Sequence, residues 1–249
     1  MKNMQMIIEE YLNAPKEIRK MKLTWGYYVG GVIGLILLGV FYWISTLIGN
    51  MVFIQFEKIF NIQEHMVLIR WMIIFIVKMT LIGIYYFFFK TLLLGILAPF
   101  FSYISEKVEN NIYGTEYHFT LKENLKFILR GMKIAGKSFI KETIATIIIV
   151  CLSFIPLINL LVPILIFLVQ SYFISFTFVD YTLERKKYGS EETLEFMKKN
   201  KYTFTLGGGI FTLLYFIPII GIFVAPLLSI VAFTKVTLKL LEKNRGLGN

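Results

Sequence analysis

Charged side chains are scarce in this sequence, and their scarcity excludes an ordinary water-soluble domain. Only 17% of the 249 residues are charged and 57% are hydrophobic, whereas about a quarter of a typical soluble domain is charged. The 24 Phe residues alone outnumber the 16 Asp and Glu residues. One globular core cannot hide so much apolar surface, so the surplus must face lipid. An integral membrane protein is therefore predicted.

Residue types that catalyse reactions or bind metals are equally rare. The two histidines, His65 and His118, stand in no metal-ligand or acid–base pattern. The single cysteine, Cys151, excludes an intrachain disulfide. A glycine run at 207–209 lacks the Lys-Ser/Thr of a phosphate-binding loop, so a flexible or closely packed helix start is the better interpretation. Neither an enzyme nor a cofactor is expected.

The net charge of +10 is concentrated in a few basic clusters. Because these clusters adjoin long apolar runs, they favour anchoring to anionic membrane lipid over binding to nucleic acid, which is not expected as a partner. They occupy the N-terminal segment 1–22, the segment 120–141, the segment 185–201 and the tail from Lys235, whereas the loop around Lys58 has few. The positive-inside rule places the four clusters on the cytoplasmic side of a bacterial inner membrane and the loop on the outer side.

Four apolar stretches divide a single membrane domain, residues 1–249. The first predicts a spanning helix at 24–48, because about 20 helical residues cross the hydrocarbon layer. The second, 66–105, is long enough to cross and continue beyond the membrane, with a bend at Pro99. Glycines spaced four apart predict close helix packing in the first span: they are Gly26, Gly30 and Gly34.

The third and fourth stretches, 143–179 and 202–234, are each interrupted twice by proline. The prolines are Pro156 and Pro163 in the third, and Pro218 and Pro226 in the fourth. Proline lacks a backbone donor and disfavours helix at the preceding residue, so each stretch is predicted to be two helices joined by a turn. Arms of about 12 to 16 residues would be too short to cross. Re-entrant helical hairpins that dip into the membrane and return are therefore predicted.

A basic amphipathic helix is predicted at 120–141, between the second and third stretches. Thr120 and Glu123 fit a capping box at its start. Cations at spacings of three or four form one face and apolar residues another, as in a helix lying on a membrane surface. A solvated face packed on protein is the alternative. The cationic face comprises Lys122, Lys126, Arg130, Lys133, Lys137 and Lys141.

Three cations lie within the second apolar stretch, where charge is expensive. A charge at the bilayer centre costs at least about 2.5–3.5 kcal/mol on insertion scales, and such residues are usually functional or paired. Arg70 and Lys90 can extend toward the two interfaces. Lys78 is the deepest and has no evident acidic partner, so an anion or a water-filled path is one interpretation and polar packing the other. Lys78 and Lys90 are candidate substrate-binding residues.

Two sets of short motifs carry a resemblance to a known family. The first is Leu97-Ala98-Pro99-Phe100 followed by Ser105-Glu106-Lys107-Val108-Glu109 and Gly114; the second runs from Val179-Asp180-Tyr181 through the basic linker to Phe216-Ile217-Pro218 and Pro226. Taken together, these matches resemble the CysZ/etoposide-induced-2.4-like membrane protein family across most of the chain.

The resemblance implies a sulfate permease that feeds cysteine synthesis, with two long spanning helices, two partly inserted hairpins and assembly as a homo-oligomer. Family members carry a Gly-hydrophobic-Arg motif before the first span, where sulfate is thought to bind. Here Ile18, Arg19 and Lys20 match that motif, and Glu17 stands in place of the glycine. Cations beside a helix N-terminus suit an anion.

A second hypothesis is a non-transporting protein that shapes or scaffolds the membrane with its hairpins inserted in one leaflet. It depends on the short arms predicted for the hairpins.

Overall fold

The computed structural model describes residues 2–60, 71–72, 75–76, 79–80, 92–114, 121–217 and 220–244. Every regular element in these ranges is a helix, which confirms the all-α prediction. The chain forms two compact units, Met1–Gly31 with Leu94–Asn249, and Val32–Leu93. The helices are α1 Lys2–Lys20, α2 Gly26–Phe60, α3 Ala98–Tyr113, α4 Leu121–Leu152, α5 Pro156–Asn159, α6 Val162–Arg185, α7 Ser190–Lys199, α8 Lys201–Tyr215 and α9 Ile220–Asn244.

Three of the described helices are long and apolar enough to cross a membrane. They include Gly26–Val52 of α2, which matches the span predicted at 24–48, together with α6 and α9. Only 11% of the most apolar window of α2 is buried inside the protein. Such an exposed apolar helix needs lipid or another protein surface around it.

Most of the second predicted span, 66–105, lies outside the described residues. Residues 92–96 are helical, Leu97 forms a turn, and α3 begins at Ala98 with Pro99 in its first turn. Proline suits this position because the first N–H groups of a helix have no partner within it. The helix is therefore interrupted at Leu97, two residues before Pro99, and the chain runs on as α3. The cations Arg70, Lys78 and Lys90 fall outside the described residues.

The predicted boundary between the amphipathic segment and the first hairpin arm is wrong. Residues 121–152 form one helix of 32 residues, α4, which contains both. The Thr143 hydroxyl donates to the Phe139 carbonyl at 2.8 Å across the expected boundary. No glycine or proline occurs between 137 and 152 to interrupt the helix. The N-cap residue Thr120 lies outside the described residues.

Prolines set the turn of the first hairpin, as predicted. Pro156 begins the short helix α5, and Pro163 is the second residue of α6. The arm lengths are wrong, however, because α6 has 24 residues and continues past Asp180 to Arg185. Polar groups at this end are buried and bonded within the protein; for example, the Thr193 hydroxyl donates to Asp180 at 3.1 Å. The charged residue Asp180 therefore does not end α6, which continues for five more residues.

The second hairpin consists of α8 and α9, with 15 and 25 residues. Pro218 lies outside the described residues, between the last turn of α8 and the start of α9. Pro226 does not break α9, although it removes the N–H that would bond to the Ile222 carbonyl. A Cβ atom on Gly30 would lie 3.4 Å from that carbonyl oxygen. The backbone of α2 thus covers the carbonyl that Pro226 leaves unbonded.

Aromatic rings and bare glycine backbone fill the core around α9. Phe178 of α6 and Phe233 of α9 stack with ring centroids 5.3 Å apart. The glycine run lies in the middle of α8, and a Cβ on Gly208 would stand 1.9 Å from the Ser171 carbonyl oxygen. Close packing is confirmed for this run, but its predicted position at a helix start is wrong. It brings α8 directly against α6.

Candidate functional site

Helix α1 is held against the second hairpin by one apolar face. Ile7, Ala14 and Ile18 are completely buried, and Tyr11 is 6% exposed, at the spacing of a single helix side. The Tyr11 hydroxyl donates within reach of two acceptors, the Gly207 carbonyl at 3.0 Å and Ser229 Oγ at 2.7 Å. Burial raises the pKa of Tyr11, so the phenol stays neutral and keeps its proton for this bond. The N-terminal segment is thus a structural part of the protein.

A C-terminal cap of the Schellman type ends α1 and orients its last turn. Leu23 N–H donates to the Ile18 carbonyl at 2.9 Å, and Lys22 N–H donates to the Arg19 carbonyl at 3.1 Å. Lys22 adopts a left-handed conformation with φ of 57°, and Leu23 packs in the core with Ile18. The cap buries Ile18 and leaves the two cationic residues that follow it, Arg19 and Lys20, on the surface.

The predicted substrate-binding residues therefore divide into two groups within α1. The Ile18 side chain is wholly buried, so only its backbone could meet an anion. Arg19 and Lys20 are exposed in the last turn of α1. Together with Pro15 and Lys16 they line a cavity of about 390 Å³. The other two candidates, Lys78 and Lys90, lie outside the described residues.

The acidic residue that replaces the family's glycine is drawn into an ion-pair network. Glu17 Oε1 lies 3.4 Å from Lys235 Nζ, and the same ammonium lies 2.9 Å from Glu10 Oε2. Lys239 pairs with the other oxygen of Glu10. The carboxylate of Glu17 thus faces a lysine of α9, which offsets its negative charge beside Arg19.

The pKa of Glu10 reports the strength of this network. Burial acts to raise the pKa of Glu10, but hydrogen bonds and attraction from Lys239 and Lys235 outweigh it, and the pKa lies below its ordinary value. Glu10 is therefore ionised at neutral pH. It fixes α1 to α9 beside the cationic turn.

Backbone donors follow the cationic turn at the start of α2. Gly26 N–H donates to the Leu23 carbonyl at 2.9 Å, which closes the first turn of that helix. The N–H groups of Thr24 and Trp25 donate no hydrogen bond to any described residue. Unbonded amides at a helix N-terminus attract anions. The α1–α2 turn therefore combines exposed cations with donors suited to an oxyanion.

A second polar cluster is buried where α3, α6 and α9 meet. Glu109, which is fully buried, pairs with Arg185 at 3.3 Å and also with Lys186. Arg185 Nη2 donates to Ser105 Oγ at 2.7 Å. The Thr234 hydroxyl of α9 donates to the same Ser105 oxygen at 2.7 Å. Three helices are thus joined by a satisfied network of charges and hydroxyls.

Sequence reasoning missed both buried networks. It placed Arg185, Lys235 and Lys239 in basic clusters on the cytoplasmic side and predicted no carboxylate partner for them. One signal was present: Ser105 and Glu109 lie four residues apart, so they share one face of a helix. Their cationic partner could not be identified, because it lies about 80 positions away along the chain.

Comparisons with known proteins match a large part of this chain to one family. The family model for sulfate transporter CysZ/etoposide-induced protein 2.4 matches residues 12–226. The sulfate transporter CysZ of Pseudomonas fluorescens (strain Pf0-1) is 29% identical over 153 residues, 59% of this chain and 60% of that protein. CysZ of P. fluorescens (strain Pf-5) is 30% identical over 147 residues, with 56% and 57% covered. CysZ of Pseudomonas aeruginosa (strain LESB58) is 27% identical over 143 residues, with 56% and 58% covered.

The alignments thus span 57–60% of the length of these curated relatives. The family match is broader and includes α1 from Leu12, the cationic turn, Glu109 and Arg185 of the buried cluster, the whole first hairpin and the second hairpin as far as Pro226. Its description names transport and no enzyme, in agreement with the sequence analysis. Three of the described helices are apolar and long enough to cross a membrane, which agrees with this match to a membrane protein family. Because the family model covers most of the 249 residues, the chain belongs to the sulfate transporter CysZ/etoposide-induced protein 2.4 family.

Proposed function

We propose that this protein is a permease that lets sulfate, or a closely related small oxyanion, cross a bacterial inner membrane. The observation that carries the proposal is the family match over residues 12–226, within which Arg19 and Lys20 lie exposed at the α1–α2 turn. The curated relatives are named sulfate transporters. The flux would support sulfur uptake and cysteine synthesis.

Sulfate recognition is assigned to the α1–α2 turn. Sulfate accepts hydrogen bonds at all its oxygens, and Arg19 and Lys20 supply charged donors beside the unbonded amides of Thr24 and Trp25. Pairing of Glu17 with Lys235 keeps its negative charge from cancelling this field. The buried Ile18 side chain anchors the turn to the protein core. Lys78 and Lys90 complete the proposal as cations along the path.

The proposed topology is multi-pass, with the hairpins α4–α6 and α8–α9 entering the membrane from the cytoplasmic side and returning to it. Fifteen-residue α8 is shorter than the roughly 20 residues that a full crossing needs. A homo-oligomer is part of the proposal, since exposed apolar helix surface such as that of α2 needs a cover. Helices α6 and α9, with 24 and 25 residues, are not the short arms on which both the re-entrant prediction and the scaffolding alternative depended. The return of both hairpins to the cytoplasm is supported instead by the basic residues at their ends.

Radiolabelled sulfate uptake into liposomes containing the purified protein tests the proposal. Wild type should admit sulfate faster than empty vesicles, and unlabelled sulfate should compete better than chloride. Arg19→Gln should lower the initial rate about tenfold, the loss of one charge-assisted hydrogen bond. The matched change Lys199→Gln removes an exposed cation elsewhere and should leave the rate unchanged.

Correct insertion is verified in each preparation by protease protection. If wild-type vesicles admit no more sulfate than empty ones, the permease function is wrong. If wild type transports and Arg19→Gln transports equally well, the function stands and the assignment of the α1–α2 turn falls.

A further inference from the structure

An apolar groove with a basic end runs between α6 and α8. Its volume is about 680 Å³. Aromatic and aliphatic side chains of both helices form its walls, and Lys198 and Lys201 stand at one end. The described lining contains no acidic residue. The groove belongs neither to the cationic α1–α2 turn nor to the buried cluster around Glu109.

We propose that this groove binds one anionic phospholipid, with its phosphate at Lys198 and Lys201 and an acyl chain along the walls of α6 and α8. The groove suits a lipid better than free sulfate, because beyond the two lysines its polar lining is limited to Tyr172, Tyr202 and Thr205 and the rest of the described walls is apolar. A diacyl lipid carries both chemistries in the order in which the groove presents them.

The depth of the groove matches one leaflet. Lys201 is the first residue of α8 and Leu213 lies near its end, so the wall between them is about 18 Å long at 1.5 Å per residue. Half of a hydrocarbon core is about 15 Å thick. An acyl chain that starts at the lysines would therefore reach the far end of the groove within a single leaflet.

The basic end is arranged for a headgroup. Lys201 Nζ lies 5.0 Å from the centroid of the Tyr202 ring, and both residues line the groove. The cation–π contact holds the ammonium over an aromatic ring of the kind enriched at membrane interfaces. Lys198 lies in the last turn of α7, three residues before Lys201, and the helix is interrupted at Asn200 between them. Both lysines line the same groove, so both can approach a single phosphate.

Small residues keep the groove open. A Cβ atom on Gly209 would lie 3.3 Å from the Phe167 ring, so a larger side chain there would press on the opposite wall. Leu168 and Leu213 remain 46% and 62% exposed on the two sides. Exposed leucines on both walls of a groove are suited to a bound acyl chain.

Native mass spectrometry of the full chain in detergent, titrated with dioleoyl phosphatidylglycerol or dioleoyl phosphatidylcholine, tests the site. Wild type should bind one phosphatidylglycerol more tightly than any phosphatidylcholine. The double variant Lys198→Gln, Lys201→Gln should weaken phosphatidylglycerol binding about 30-fold, because each lysine near the membrane surface changes the affinity about fivefold. The matched double variant, Lys187→Gln with Lys199→Gln, removes equal charge outside the groove and should bind as wild type.

A second variant tests the acyl-chain wall. Leu206→Trp fills the floor of the groove and should reduce binding of both lipids, whereas Ile164→Trp, on an exposed position of α6 outside the lining, should not. Circular dichroism confirms folding of each variant. Equal losses in the two double variants would show diffuse attraction and overturn the proposal. Displacement by glycerol phosphate alone, or a change in oligomer mass without lipid loss in Leu206→Trp, would overturn it in favour of a free anion site or a subunit interface.

Discussion

The most apolar window of α9, in the second hairpin, is 72% buried inside the protein, whereas that of α6, in the first, is 39% buried. Both hairpins have a turn marked by proline and a long second arm. The tip of the first points large side chains outward: Phe154, Leu157 and Leu160 are 86%, 87% and 84% exposed. Helix α9 instead packs against α1, α3, α6 and α8.

The difference lies in side-chain size along the helices. The second hairpin has glycine where backbones meet: a Cβ on Gly221 would stand 2.4 Å from the Leu214 carbonyl oxygen, and Gly208 is still tighter. The exposed face of α4 consists of branched residues such as Ile144 and Ile147. Small residues allow close helix approach, and large aliphatic residues cover surface in lipid. The same proline pattern therefore occurs in a hairpin buried in the core and in one whose apolar surface is more exposed.

Substituting one glycine in each hairpin should break this comparison most strongly. Gly208→Ala places a methyl group against the Ser171 carbonyl, so α6 and α8 must separate. We expect it to lower the free energy of unfolding by about 3 kcal/mol. Gly136→Ala in α4 meets nothing within 4 Å and should raise helix stability by up to about 1 kcal/mol.

Thermal unfolding in detergent, followed by circular dichroism, measures both effects. Equal stability changes in the two variants would show that the hairpins do not differ in packing. Loss of stability in Gly136→Ala alone would reverse the assignment of the buried and the more exposed hairpin.

A smaller effect should sharpen the comparison, because the ion pairs of α1 seen among the described residues go to the second hairpin. Since the pKa of Glu10 is lowered in the folded protein, its stabilisation is complete above the pKa of the unfolded chain and is lost as the pH falls through the folded value. We therefore expect α1 to loosen from α9 as the pH falls below the ordinary range of a carboxyl group, with a roughly fivefold change in local opening.

Hydrogen exchange of the α1 amides, corrected for the intrinsic pH dependence, measures this opening. The Glu10→Gln variant cannot titrate and should show no such acid step. An acid step of equal size in both variants would assign the effect to other carboxylates.

The sequence allowed accurate prediction of features that depend on local chemistry. The turn at Pro156, the close packing of Gly26 and Gly30, and the all-helical class all follow from backbone sterics and hydropathy, which need no knowledge of distant residues. Pro226 shows where this reasoning fails. A helix tolerates it because α2 packs over the freed Ile222 carbonyl, and that contact is tertiary.

Helix lengths and charged contacts could not be predicted for the same reason. Charges were used as helix boundaries, yet Arg185 and Lys235 lie within helices and pair with carboxylates far away in sequence. Burial of Ile18 beside exposed Arg19 depends on the cap at Lys22, whose left-handed conformation has no glycine to announce it. The candidate turn was therefore predicted by residue type and resemblance, and its orientation was not.

The central claim is that both hairpins enter the membrane and return to the cytoplasm, so that their basic ends lie on one side. Cysteine labelling from outside intact cells tests it most directly, in a Cys151→Ser background carrying either Lys58→Cys or Lys187→Cys. A membrane-impermeant maleimide should modify the cysteine at position 58 and leave the one at 187 unmodified until the cells are opened. Modification at 187 in intact cells, with 58 protected, would contradict the account.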